Sequence, residues 1–279
     1  MANKIFSIYS QDSEEAVSNN DTLIVEITDT HIACLAKCAS RNTIAAFELF
    51  DISTGRVLPD SILTDIGPHS RLLNLDYAAV KVFIGNAPNV LMPESAFSSE
   101  KALVYLEAAT GFSKHAVVRH DRVDGFGGIV NVYGIAQQTL NVIHRSLKRT
   151  SVNHTFSKII ALLANPAQPV DHLMKVQFYR QYFIVAVVAS GELQLVQSIA
   201  YELPADVLYH LLNIVHRLSL NSNLVLEISG MIDLKSPLYT EILKYFGNLK
   251  VAQADEKLFH LDASEFPLHY FTPIFNLAQ

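Results

Sequence analysis

The sequence predicts an α/β protein made of two related halves, and three observations lead there. Apolar and β-branched runs of strand length alternate with helical periodicities along most of the chain. The order of elements that opens the chain returns about 150 residues later. Half of the 279 residues are hydrophobic and only 17% are charged, which supplies core for two lobes and argues against disorder.

Residues 1–20 are polar and lack a clear period, so they are expected to form a mobile arm with a short edge strand at 5–9. From Thr22 the pattern is β. The runs 22–27, 31–36 and 43–50 are separated by Thr28-Asp29-Thr30 and by Ser40-Arg41-Asn42, as in a three-stranded meander. Leu58-Pro59-Asp60-Ser61 reads as a helix start, because Pro suits the first helical position and an acid suits the first turn. A buried strand follows at 80–84 and is closed by Gly85-Asn86. Next come a strand at 90–92, a helix over 98–109, and strands 116–119 and 129–133 around Gly125-Phe126-Gly127-Gly128. Leu140, Ile143 and Leu147 set a helix over 136–148, and another runs over 155–164 until Asn165-Pro166 stops it.

After that break the opening pattern repeats. Val176-Gln177-Phe178 takes the place of Val25-Glu26-Ile27, and Tyr179-Arg180-Gln181 that of Thr28-Asp29-Thr30. The run 182–187 answers 31–36 and, after a shorter loop, 192–199 answers 43–50. Leu203-Pro204-Ala205-Asp206-Val207-Leu208 answers Leu58-Pro59-Asp60-Ser61-Ile62-Leu63, and 224–228 answers 80–84. Identities are few; the shared order of elements argues for duplication. The expected division is a first lobe at 21–168, with an inserted subdomain at about 86–114, and a second lobe at 169–279.

Several function classes are disfavoured. The net charge is −6 and Lys148-Arg149 is the one adjacent Lys/Arg pair, so no basic stripe marks a nucleic-acid or anionic-membrane surface. The longest strongly apolar run, 182–189, is far short of the ~20 residues needed to span a bilayer, so no membrane insertion is expected. With no signal-like start, the expected location is cytoplasmic. Cys34 and Cys38 would lie about 13 Å apart on one strand, which suits buried free thiols better than a disulfide. His115, His120 and Asp121 are read as solvated strand-end residues, and no metal site is assigned. His210 and His216 fall on different faces of a helix. The glycine turn joins two strands rather than a strand to a helix, so it is a hairpin and not a phosphate loop. The aromatic tail, 266–275, is expected to dock on the second lobe as a final strand or clamp. No catalytic residue is assigned. The low charge points to a protein partner or self-association.

Two copies of a meander followed by a helix and a parallel strand resemble the actin-like ATPase fold, a pair of ribonuclease-H-like lobes. The segment bearing Val90-Leu91-Met92-Pro93-Glu94 is similar to the inserted subdomain of the pilus-assembly and type II secretion branch of that superfamily. The closer likeness is to an uncharacterised bacterial domain-of-unknown-function family with an actin-like fold, over nearly the whole chain from Thr22. It is carried by that segment, by Leu203-Pro204-Ala205-Asp206-Val207-Leu208-Tyr209-His210-Leu211-Leu212, and by Ile228-Ser229-Gly230 with Ser236-Pro237-Leu238-Tyr239.

The resemblance implies a nucleotide site of two hairpin turns with Asp and glycines, plus a glycine pair against adenosine. Asp29 and Thr30 stand in the first turn without a glycine, Tyr179-Arg180-Gln181 keeps neither acid nor glycine, and Ser229-Gly230 keeps one glycine of the pair. The candidate nucleotide-binding residues are therefore Asp29, Thr30, Ser229 and Gly230, for ATP with Mg²⁺. Such eroded motifs favour a non-catalytic scaffold, a pseudo-ATPase with no cofactor. The alternative is an ATP-binding phosphotransferase or ATPase using the interlobe cleft. Each candidate also has a plain structural role: Asp29 forms a turn, Ser229-Gly230 ends a strand, and Asp206 complements a helix dipole.

Overall fold

A computed structural model describes residues 2–10, 17–52, 62–111, 116–164, 171–254 and 267–279 of the chain. These residues fall into two compact units. The first holds the described chain up to Lys158 and the last three residues, Leu277–Gln279; the second holds Ile159–Ala254 and 267–276.

The first unit is built on a six-stranded sheet. Its strands are β1 (Ala2–Tyr9), β2 (Thr22–Ile27), β3 (His31–Lys37), β4 (Ile44–Ile52), β5 (Ala79–Ile84) and β9 (Thr150–His154), in the order β1-β4-β3-β2-β5-β9. β2, β5 and β9 run parallel, so their carboxyl ends lie along one edge of the sheet. On one face Leu23, Val25, Val80, Val82 and Val152 pack against α1 (Ile62–Ile66) and α3 (Gln137–Ser146), through Ile62, Leu63, Leu140 and Ile143. Each such side chain stabilises the fold by roughly 1.5–3 kcal/mol when fully buried.

Two features of this sheet depart from expectation. The edge strand expected at 5–9 is present but longer: β1 starts at Ala2 and runs antiparallel to β4 over its whole length. Buried Glu48 of β4 holds it there by accepting from Lys4 Nζ and Tyr9 Oη. β9 has no counterpart in the sequence reading. Its residues, Thr-Ser-Val-Asn-His, are mostly polar and carry no apolar signal.

A small antiparallel sheet lies between β5 and α3 in the chain. It comprises β6 (Asn89–Pro93), β7 (Ala116–Val123) and β8 (Ile129–Ala136), in the order β6-β8-β7. Ala102 and Leu106 of α2 (Ala102–Thr110) pack on its Val130 and Val132. α2 begins later than expected because two 3-10 turns precede it. Residues 125–128 all have positive φ, which fits a tight hairpin.

α4 (Thr155–Leu163) carries the chain to the second unit. Here the strands are β10 (His172–Phe178), β11 (Tyr182–Ala189), β12 (Glu192–Ala200), β13 (Val225–Gly230) and β14 (Leu249–Val251), in the order β12-β11-β10-β13-β14. That is the order of the first sheet without β1. α5 (Pro204–Arg217) and α6 (Pro237–Tyr245) cover one face. Val207, Leu211 and Ile242 meet Met174, Val176, Leu226 and Ile228. The Asp206 carboxylate accepts from the backbone N–H groups of Leu203 and Glu202 at the start of α5, and these bonds hold it below the usual carboxylate range. Leu203, Tyr209, Leu243 and Tyr245 stand exposed on and beside these two helices.

The repeat extends to individual backbone hydrogen bonds. In the first unit Thr28 N donates to His31 O, Ile52 N to Thr30 O, and Gly85 N to Ile27 O. In the second, Tyr179 N donates to Tyr182 O, Tyr201 N to Gln181 O, and Met231 N to Phe178 O. Three matched bonds at matched turns support the duplication read from element order.

The tail forms a 3-10 turn, Leu268–Tyr270, and α7 (Thr272–Phe275). His269 Nε2 donates to Ile232 O at 2.9 Å and Thr272 Oγ1 to Ala252 O at 3.4 Å. The tail thus docks beyond the carboxyl ends of β13 and β14, as helical turns and not as a strand. Cys34 and Cys38 are free and buried. Among the described residues no helix is long and apolar enough to cross a membrane. The predicted helix start at 58–61, the break at 165–169, His115 and Phe266 lie outside the described residues.

Candidate nucleotide site

In parallel α/β sheets, ligands bind outside the carboxyl ends of the strands. In the first unit that region is formed by the turn after β2, the turn after β5 and the β9–α4 junction. The side chains there are bonded mainly to one another.

The β2–β3 turn is organised by Thr28, which is buried. Its Oγ1 accepts from the N–H groups of Thr30 and His31 and lies 2.9 Å from His31 Nδ1. His31 Nε2 reaches Glu26 Oε2 at 3.0 Å, and Thr155 Oγ1 donates to Glu26 Oε1 at 3.3 Å. Asp29 is half-buried at the turn, and its Oδ1 accepts from Asn86 Nδ2 at 2.8 Å. Thr30 is half-buried beside it. Gly85 has a packing reason to be glycine, because a Cβ there would sit 2.8 Å from Thr28 Cγ2.

At the β9–α4 junction His154 is fully buried. Its Nε2 donates to Ala87 O at 3.1 Å, and its Nδ1 accepts from Phe156 N at 3.0 Å. That pattern requires the neutral ring, and burial pushes its pKa down to about 4. Asp121 lies nearby and is buried, which corrects its reading as a solvated strand-end residue. It accepts from Tyr133 Oη, Asn153 Nδ2, His154 N and Ser157 Oγ. Four donors from β8, β9 and α4 explain why a carboxylate can be buried there. His120, its neighbour, is exposed and packs beside Phe97.

The second unit treats its corresponding positions differently. Tyr179 is buried, and its ring stacks on Tyr182 at 4.7 Å. Tyr201 Oη donates to Tyr179 O at 3.0 Å. Arg180 and Gln181 are exposed. Ser229 is fully buried, and its Oγ has no hydrogen-bond partner. Gly230 has φ +89, and a Cβ there would lie 2.1 Å from Phe178 O. This glycine is required by the approach of the β10 backbone.

The structure therefore places Asp29 and Thr30 together at one strand end of the first unit, and Ser229 and Gly230 at one strand end of the second. Asp29 offers a single carboxylate. The other acids near it in the first unit, Glu26 and Asp121, are committed to His31, Thr155 and the junction donors. Among the described residues no group of three His, Cys, Asp or Glu side chains could hold a metal ion. Sequence reasoning missed Glu26, His31 and His154. The signal for Glu26 was an acid inside an otherwise apolar strand, Val25-Glu26-Ile27.

Two units that repeat one meander, with parallel strands and an inserted subdomain in the first, define an actin-like ATPase fold. The chain belongs to the protein family of unknown function DUF3822, whose profile matches residues 10–249. It is similar to a Bacteroides thetaiotaomicron protein with an actin-like ATPase fold and unknown function. The TM-score is 0.75 and the identity 16%, over 84% of this chain and 91% of that one. It is similar also to the PilM-PilN type IV pilus biogenesis complex, with TM-score 0.60 and identity 13%, over 94% of this chain and 97% of that one. A weaker likeness, TM-score 0.48 and identity 12% over 86% and 92%, links it to the cytoplasmic domain of EpsL, an inner membrane component of the Vibrio cholerae type II secretion system. No curated protein matches the chain.

Proposed function

We propose that the chain is a non-catalytic interaction module on an actin-like body, with no nucleotide in its working state. One observation carries this reading: the turns that would cradle phosphate are occupied by the chain's own groups. Thr28, His31, Glu26 and Thr155 bond one another, and Asn86 holds Asp29. The counterpart turn is filled by the Tyr179–Tyr182 stack. A phosphate cradle needs backbone N–H groups free to approach the ligand, and in the first turn the N–H groups of Thr30 and His31 are spent on Thr28. The PilM-PilN complex supports the partner-holding half of the proposal, since a protein of this fold is there part of an assembly. The partner is a protein or a second copy of the chain. A cytoplasmic location fits the two free thiols.

The test is a thermal-shift titration with Mg-ATP and Mg-ADP. A ligand at 100 times its dissociation constant would stabilise the fold by about 2.7 kcal/mol. The expected outcome is an unchanged melting temperature at millimolar nucleotide. A rise that disappears in Asp29→Ala would overturn the proposal and establish the ATP-binding alternative, with Asp29 on the metal.

A further inference from the structure

Two lysines share one face of the first unit's sheet, and a third is carried by the helix α4. Lys37 ends β3 opposite Thr22 of β2, and Lys81 of β5 lies opposite Ile24 of β2. Thr22 and Ile24 are two apart on one strand, so both lysines project from the same face, opposite the one that carries Leu23 and Val25. Ser151 of β9 is the neighbour of Lys81 on its other side. Glu26 of β2 faces the same way as Thr22 and Ile24, and Thr155 at the start of α4 donates to it at 3.3 Å, so the helix that carries Lys158 begins on this face.

Burial first, then the charges of Lys81 and Lys37, hold Lys158 below the usual lysine range. Burial and the charge of Lys81 do the same to Lys37. The ion pairs among the described residues involve other cations, namely Lys4, His31, Arg122, Lys148, His172, Lys175 and Lys244. Among the described residues, one hydrogen bond from this trio is present, from Lys37 Nζ to the carbonyl of Ala278. Acids outnumber Lys and Arg in this chain by 27 to 21, yet among the described residues none forms an ion pair with this trio. Like charges held together without a counter-charge cost free energy unless an anion joins them.

We propose that Lys37, Lys81 and Lys158 form a binding site for a small multivalent anion of the phosphate class. A diphosphate fits the arrangement because its several charges can meet three separate ammonium groups. The site is independent of the strand-end turns, since Lys37 pairs with the first residue of β2 and the Thr28 turn follows its last. Lys158 is half-buried, so the ligand is a free anion and not a surface such as a bilayer.

The experiment titrates inorganic pyrophosphate into the full chain by thermal shift and calorimetry, against sodium chloride at matched ionic strength. Lys81 is exposed, so Lys81→Gln should fold normally; Lys158→Gln is the second variant. The expected result is a melting temperature raised by millimolar pyrophosphate and not by chloride. Affinity should fall at least tenfold in each variant, while each variant without anion melts no lower than the parent. An equal shift with chloride, or a pyrophosphate shift unchanged in both variants, would overturn the site.

Discussion

His154 and Glu48 couple the stability of this chain to pH in the same direction. His154 is held neutral, with a pKa near 4 in the fold against 6.5 for a free histidine. Between those values the unfolded chain binds more protons than the folded one, so stability is complete above about pH 6.5 and falls as pH drops towards about 4. The full loss is about 3 kcal/mol, from ~1.4 kcal/mol per pKa unit. Urea midpoints measured from pH 7 to pH 4.5 should show it, and His154→Gln should flatten the slope. Burial would raise the Glu48 carboxyl, but hydrogen bonds from Ser70, Tyr9, Arg71 N and Lys4 outweigh it and leave the group below its usual range. Its contribution is present above the unfolded pKa and is lost as pH falls through the folded one. At Gly230, an added Cβ would meet Phe178 O at 2.1 Å in a backbone with φ +89. Gly230→Ala should cost on the order of 3 kcal/mol or more, read as a lower melting temperature whether or not nucleotide is present.

Among the elements, β1 and β9 show what local patterns convey and what they leave out. β11 is buried at all eight positions and β3 at all but its last, and both announce themselves as unbroken apolar runs. β9 holds the edge of the first sheet with Thr, Ser, Asn and His, because its last residues bond polar partners instead of filling an apolar core. Those partners, Asp121 and Ala87, come from other parts of the chain, so no pattern within five residues reports them. β1 likewise depends on Glu48, a residue far along the chain that looks like an ordinary strand acid. Glu48→Gln weakens the acceptor for four donors and should destabilise the chain by about 3 kcal/mol, the usual cost of breaking a buried charge pair. The edge of β4 should then open. Faster hydrogen exchange in β1 than in β2 is the expected signature, and equal protection would show that β1 is held by something other than Glu48.

At the scale of the whole molecule, the duplication was legible because it is written in element order and turn position, which survive when identities do not. Asp29, Thr30, Ser229 and Gly230 were picked out because the fold's nucleotide motifs have fixed places along that order. What occupies those places was not legible. The Asp29–Asn86 bond spans one connection of the fold, and the Thr155–Glu26 bond joins the start of α4 to β2. Under the proposed reading, Asn86→Ala should not by itself create an Mg-ATP-dependent rise in melting temperature, because the Thr28–His31–Glu26 group still fills the turn. A rise in that variant would show that Asn86 alone closes the site.

The apolar periodicities, turn residues and repeated order by themselves determined the two-fold α/β architecture and its meanders. Burial of apolar surface is non-directional and adds up along the chain, so a one-dimensional pattern can record it. Tertiary structure alone decided the polar chemistry: which donors meet Glu48 and Asp121, which ring stacks on Tyr179, and which lysines share a face. Hydrogen bonds and charges act over specific short distances between residues far apart in sequence. Their partners exist only once the sheets have brought them together.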